Sequence, residues 1–188
     1  MNKFSAVSLI KKPKFLLLPG IGNAGPDHWQ THWEKSHDGF ERIKQRDWEH
    51  PICSEWMATL EEAVERLGSE TVLVAHSLSC LLVANWATTT RQTIRAAFLV
   101  AVPDPTGNVF PKEAAGFETV ALGRFPFPST VVVSTDDPYG SIDFAERCSR
   151  AWGSRFVNIG SAGHINSSSN LGQWPVGFSL LNASIAEC

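Results

Sequence analysis

Ser77, the adjacent Asp136 and Asp137, and His164 are the side chains whose types and order could do chemistry together in this chain. A serine hydroxyl is a weak nucleophile until a base takes its proton. A histidine serves as that base when a carboxylate fixes its tautomer and stabilises the imidazolium. Such a trio attacks a carbonyl carbon, and the chemistry it implies is acyl transfer.

The setting of Ser77 favours this role. The run Val72-Leu73-Val74-Ala75-His76-Ser77-Leu78-Ser79-Cys80-Leu81-Leu82 opens as an apolar, β-branched strand and continues as an apolar helix. Small residues, Ala75 and Ser79, stand two places to either side of Ser77. That spacing lets a strand turn sharply into a helix and hold a hydroxyl at the apex, above the helix N-terminus. Alanine and serine occupy the positions where glycines are usual. The alternative is a plain strand-to-helix junction with Ser77 as helix cap.

The elements that must position these groups alternate along the chain. Apolar runs predict strands at 14–18, 42–45, 71–75, 96–100, 130–134 and 155–158. Amphipathic or apolar patterns predict helices at 27–36, 54–67, 78–88, 141–152 and 171–183. Alternation of this kind predicts an α/β protein, a three-layer α/β/α sandwich around a mostly parallel sheet of about six strands. Catalytic groups in such sheets sit at the carboxyl ends of strands. Asp136 and Asp137 follow the fifth predicted strand and His164 follows the sixth. The chain order Ser, Asp, His is that of an α/β-hydrolase. Pro138 restricts Asp137 to extended backbone, which favours Asp137 as the acid, with Asp136 as second choice. The segment 103–128, rich in Pro, Gly and Phe, reads as a connection over the carboxyl edge, with a short helix near 111–115.

An oxyanion hole needs two backbone N–H donors. Leu78, just after the serine, supplies one. The loop Pro19-Gly20-Ile21-Gly22-Asn23-Ala24-Gly25 supplies the other, through Ile21 or its rival Gly22. Its glycines nominally fit Gly-x-Gly-x-x-Gly, which keeps a dinucleotide site as a weaker alternative. His28 and Trp29 follow the loop and are expected, with Gly22, to contact substrate. His28 and His32 share a helix face, but no third ligand accompanies them, so no metal is expected. His76 is expected to point away from the site.

Composition narrows the classes. Apolar residues make up 43% and charged residues 19%, with net charge −3. This is a globular balance with no basic surface for nucleic acid or membrane. The length of 188 residues suits one domain, taken as residues 1–188. Met1–Ile10 lacks the pattern of a secretory leader, and the cysteines Cys53, Cys80, Cys148 and Cys188 form no metal or disulfide motif. Both point to a cytoplasmic protein with reduced thiols.

The runs Leu18-Pro19-Gly20-Ile21-Gly22 with Asp27-His28-Trp29, Ala75-His76-Ser77-Leu78-Ser79, Ser134-Thr135-Asp136-Asp137-Pro138-Tyr139 and Gly163-His164-Ile165-Asn166 resemble the small serine hydrolases of the retinoblastoma-binding protein 9 / YdeN family. The resemblance spans residues 14–185. It implies a compact, lidless α/β-hydrolase fold, a triad of Ser77, Asp137 and His164, and hydrolysis of small esters or amides without a cofactor. Ser79 departs from the family glycine. Leu78-Ser79-Cys80-Leu81-Leu82 begins the Leu-x-Cys-x-Glu motif linked to retinoblastoma binding but lacks its glutamate, so no such partner transfers. A binding protein on a hydrolase scaffold is the rival expectation.

Overall fold

Continuous burial along the strands determines the architecture. In the computed structural model, which describes residues 12–186, β3 (Thr71–His76) and β4 (Ala96–Val100) are buried at every position. Both faces of each strand are therefore covered, as in parallel sheets packed between helices. Met1–Ile10, Lys11 and Cys188 lie outside the described residues.

The other strands are β1 (Lys14–Leu18), β2 (Phe40–Arg42), β5 (Ser129–Val133) and β6 (Arg155–Asn158). They join in one six-stranded sheet of order β2-β1-β3-β4-β5-β6, and every neighbouring pair is parallel. The helices are α1 (Trp29–Ser36), α2 (Cys53–Leu67), α3 (Leu78–Trp86), α4 (Ile142–Trp152) and α5 (Pro175–Ala186).

Side chains alternate across a strand, and the core divides accordingly. Leu16, Leu18, Leu73, Ala75, Ala97, Leu99, Val131 and Val133 pack with α2, α3 and α4. Phe15, Leu17, Val72, Val74, Phe98, Val100 and Val132 pack with Trp29 and Trp33 of α1 and Leu181 and Ile185 of α5. Sheet and two helical layers form the expected sandwich. Cys53, Cys80 and Cys148 are buried free thiols. Among the described residues no helix is long and apolar enough to cross a membrane.

Three expected elements are displaced. The second strand lies at Phe40–Arg42 rather than 42–45, because Phe40 pairs with Phe15 and stacks on its ring at 4.2 Å. The segment 111–115 forms a turn and no helix. Ala115 instead bridges to Ile52, donating to the Pro51 carbonyl and accepting from Cys53 N–H at 2.9 Å. The last helix starts at Pro175, not residue 171, since proline suits the first helical position and the preceding Trp174 adopts φ 43°.

Candidate active site

β3 delivers Ser77 to the carboxyl edge of the sheet, and α3 begins with the next residue. Ser77 sits at φ 55°, ψ −124°, a strained conformation for a residue with a side chain. Its N–H donates to the Val100 carbonyl at 2.9 Å, which fixes the turn to the neighbouring strand. The two flanking small residues are both buried, and Ser79 does more than fit. Its hydroxyl donates to the Pro19 carbonyl at 2.5 Å, tying α3 to the loop after β1. That loop presses close: a Cβ on Gly20 would lie 2.9 Å from the Cβ of Ser77.

The loops after β5 and β6 bring Asp137 and His164 to the same edge. His164 Nε2 lies 2.7 Å from Ser77 Oγ, and His164 Nδ1 lies 2.9 Å from both Asp137 carboxylate oxygens. The His164 and Asp137 side chains are only 8% and 3% exposed, so water does not compete for this contact. Asp137 Oδ1 also accepts the Tyr139 N–H. The neighbouring Asp136 turns away from the imidazole. It accepts hydrogen bonds from Ser134 and Ser161 hydroxyls and from the Ala162 and Gly163 amides. The Ser134 and Ser161 hydroxyls, with the Gly163 amide, hold its carboxyl well below the usual carboxylate range.

The loop carrying His164 is held from a second side. His76 Nε2 lies 2.9 Å from the His164 carbonyl oxygen, and Trp29 Nε1–H donates to the Ile165 carbonyl at 2.8 Å. His76 was expected to point elsewhere; its ring instead lies under the site, 5.0 Å from the His164 ring and 4.7 Å from that of His28. Burial and, secondarily, His28 hold its pKa well below the usual imidazole range. His28 caps α1, its Nδ1 accepting the Gln30 N–H. Burial and then the Arg42 charge lower its pKa to about 3. Both rings are therefore neutral at physiological pH.

Two of the residues expected to touch substrate do not line the cavity. Trp29 is 1% exposed and packs against Trp33 and Trp174; the core claims its indole. Gly22 adopts φ 76°, and its N–H is spent on the Trp48 carbonyl at 2.8 Å. Gly22 therefore has no amide to offer an oxyanion, whereas the N–H groups of Ile21 and Leu78 have no partner among the described residues. The loop is no phosphate cradle either, because Gly20 is packed on Ser77 and His28 already caps α1. No group of three or more His, Cys, Asp or Glu side chains among the described residues is arranged to hold a metal.

A cavity of about 530 Å³ opens over Ser77 and His164, in the size range of small-molecule sites. Ile21, Leu78 and His28 line it, as do His76, Tyr139, Asn23, Val109–Pro111 from the connection expected over the carboxyl edge, and Asn166–Ser168, which had no expected substrate contact. Tyr139 and Asn166 stood next to the proposed acid and base in the sequence. Only the fold turns them inward.

Known proteins share this fold. The family model described as serine hydrolase matches residues 15–183. A Pectobacterium atrosepticum protein described as a YdeN-like hydrolase is similar in structure, with TM-score 0.79 and 26% identity over 92% of this chain and 91% of that one. The ydeN gene product of B. subtilis aligns with TM-score 0.76 and 18% identity over 93% of this chain and 100% of that one. A monoacylglycerol lipase of Paleococcus ferrophilus aligns with TM-score 0.70 and 13% identity over 94% and 96%. No curated protein matches the sequence.

Proposed function

The chain belongs to the serine hydrolase family, and from that premise we propose that it hydrolyses small carboxylic esters through a covalent acyl-enzyme on Ser77. Ser77 Oγ attacks the ester carbonyl carbon as its proton passes to His164 Nε2. Asp137 keeps the imidazole in the tautomer that accepts there and stabilises the imidazolium. The carbonyl oxygen becomes an oxyanion, which accepts from the Ile21 and Leu78 N–H groups. His164 returns the proton to the leaving oxygen, the alcohol departs, and Ser77 carries the acyl group. Water then attacks the acyl carbon, giving its proton to His164. Collapse of the second tetrahedral intermediate returns that proton to Ser77 Oγ and releases the acid. Esters are favoured over amides because an alkoxide departs with less help than an amine.

The observation that carries this reading is the unbroken Ser77–His164–Asp137 hydrogen-bond chain at the floor of the cavity. A fluorophosphonate probe tests it, because only an activated serine reacts. Stoichiometric labelling of wild type, lost in Ser77→Ala and in His164→Ala, is the expected result. A folded wild type that stays unlabelled would overturn the reading in favour of a binding protein on this scaffold.

A further inference from the structure

The two open walls of the cavity differ in chemistry, and the difference is ordered with respect to the reaction. One wall is apolar: Val109, Phe110 and Pro111, from the connection between β4 and β5, with Phe110 anchored on the core. The other wall is polar and uncharged: Asn166, Ser167 and Ser168, contiguous with the base. No lysine, arginine, aspartate or glutamate lines the cavity among the described residues. The two histidines other than His164 are held neutral by burial. Nothing here would compensate a carboxylate or phosphate on the substrate.

Hydrogen bonding within the polar wall leaves specific donors unspent. Asn166 Oδ1 is engaged by the Ser168 N–H at 3.0 Å and the Ser168 hydroxyl at 2.6 Å. This fixes the amide and leaves Nδ2 without a partner among the described residues. Ser167 Oγ likewise makes no bond there. Across the mouth, Asn23 Oδ1 is taken by the Ala24 N–H and Arg42, leaving its Nδ2 without a partner among the described residues.

Stereochemistry assigns the walls. The leaving oxygen must face His164 Nε2 to receive its proton, and the oxyanion must face Ile21 and Leu78. The acyl chain takes the remaining direction. The wall that continues from His164 therefore meets the leaving group, and the Val109–Pro111 wall meets the acyl chain. We infer that the substrate is an uncharged ester joining an apolar acyl chain to a hydroxyl-bearing alcohol, whose free hydroxyls bind Asn166 Nδ2 and Ser167 Oγ. The inference rests on the hydrolase reading above.

The test compares two butyrate esters that share an acyl group, 1-monobutyrin and propyl butyrate. Wild type is expected to prefer monobutyrin in kcat/KM. Ser167→Ala removes a hydroxyl that supports no internal contact. It should lower the monobutyrin-to-propyl ratio about three- to tenfold, the worth of roughly one hydrogen bond. Phe110→Ala should instead lower the hexanoate-to-acetate ratio on propyl esters. A wild-type preference for propyl butyrate, or a ratio unmoved by Ser167→Ala, overturns the inference. Probe labelling of Ser77 without turnover of either ester overturns it too, yet leaves the hydrolase reading intact. Absent labelling defeats the hydrolase reading itself.

Discussion

Asp136 Oδ1 accepts the Gly163 N–H at 2.7 Å, so the carboxylate beside Asp137 holds the residue beside His164. Adjacent aspartates thus divide the work. Asp137 meets the imidazole, and Asp136 fixes the loop from which that imidazole projects.

Replacing each aspartate should separate the roles. Asp137→Asn should lower kcat by up to about four orders of magnitude with little loss of stability, through the wrong histidine tautomer. Asp136→Ala strands the Gly163 amide and two hydroxyls, while the Ala162 amide keeps the Ser134 hydroxyl, and should lower stability with a smaller loss of turnover. Urea denaturation read alongside ester kinetics checks both. If Asp136→Ala proved the kinetically worse variant at full stability, the assignment of the acid would be wrong.

Stability should fall on acidification. His28 and His76 are neutral when folded, and each regains an ordinary imidazole pKa when unfolded. Below pH about 6.5 the unfolded chain therefore binds protons that the folded chain refuses. Each histidine should remove up to about 1.4 kcal/mol per pH unit, for His28 until its folded pKa of about 3 is reached. His28→Asn keeps a capping side chain and should flatten the slope between pH 6 and 4. An unchanged slope in chemical denaturation would argue against a neutral, buried His28.

Gly20→Ala places a methyl group 2.9 Å from the Ser77 Cβ and 3.3 Å from the His76 carbonyl oxygen. The loop bearing Ile21 must then back away from the nucleophile. Probe labelling should slow by more than tenfold, with a stability loss of about 1–3 kcal/mol. Wild-type labelling kinetics in this variant would mean that the loop does not supply an oxyanion donor.

Ser79→Ala should act on the same loop from the opposite side. The Pro19 carbonyl is buried and loses its donor, which costs about 1–3 kcal/mol. Ser79→Gly restores the residue usual in such elbows yet removes the same hydroxyl, so it should destabilise as well. A melting temperature raised by Ser79→Gly would refute that role for the hydroxyl.

Local pattern made much of this legible. Buried strands such as 96–100 announce themselves by unbroken apolar character, and Ser77 and Asp137 could be placed because each follows such a strand; His164 follows the shorter, half-exposed run Arg155–Asn158. Features that depend on distant partners could not be read. The second strand is set by Phe40 meeting Phe15 across the sheet, a partner that its own segment does not reveal. Trp29 looked like a lining residue from its place after the glycine loop, but its partners Trp174 and Ile165 are more than a hundred residues away. The place of His76 under the site is not legible locally, because a strand position says which face a ring takes and nothing of the loop that will cover it. Gly22 was separable from Ile21 only once Trp48 claimed its amide.

The strand ends that meet at Ser77 are remote along the chain, 87 residues separating it from His164 and 27 separating His164 from Asp137. A growing polypeptide that has completed β5 and the loop after it already carries Ser77 and Asp137, yet not His164. The reactive hydroxyl stays dormant until β6, an edge strand, docks and carries the last loop over the sheet. Hydrolase activity is then a signal of finished topology rather than of compactness, and refolding followed by turnover should lag refolding followed by helix content.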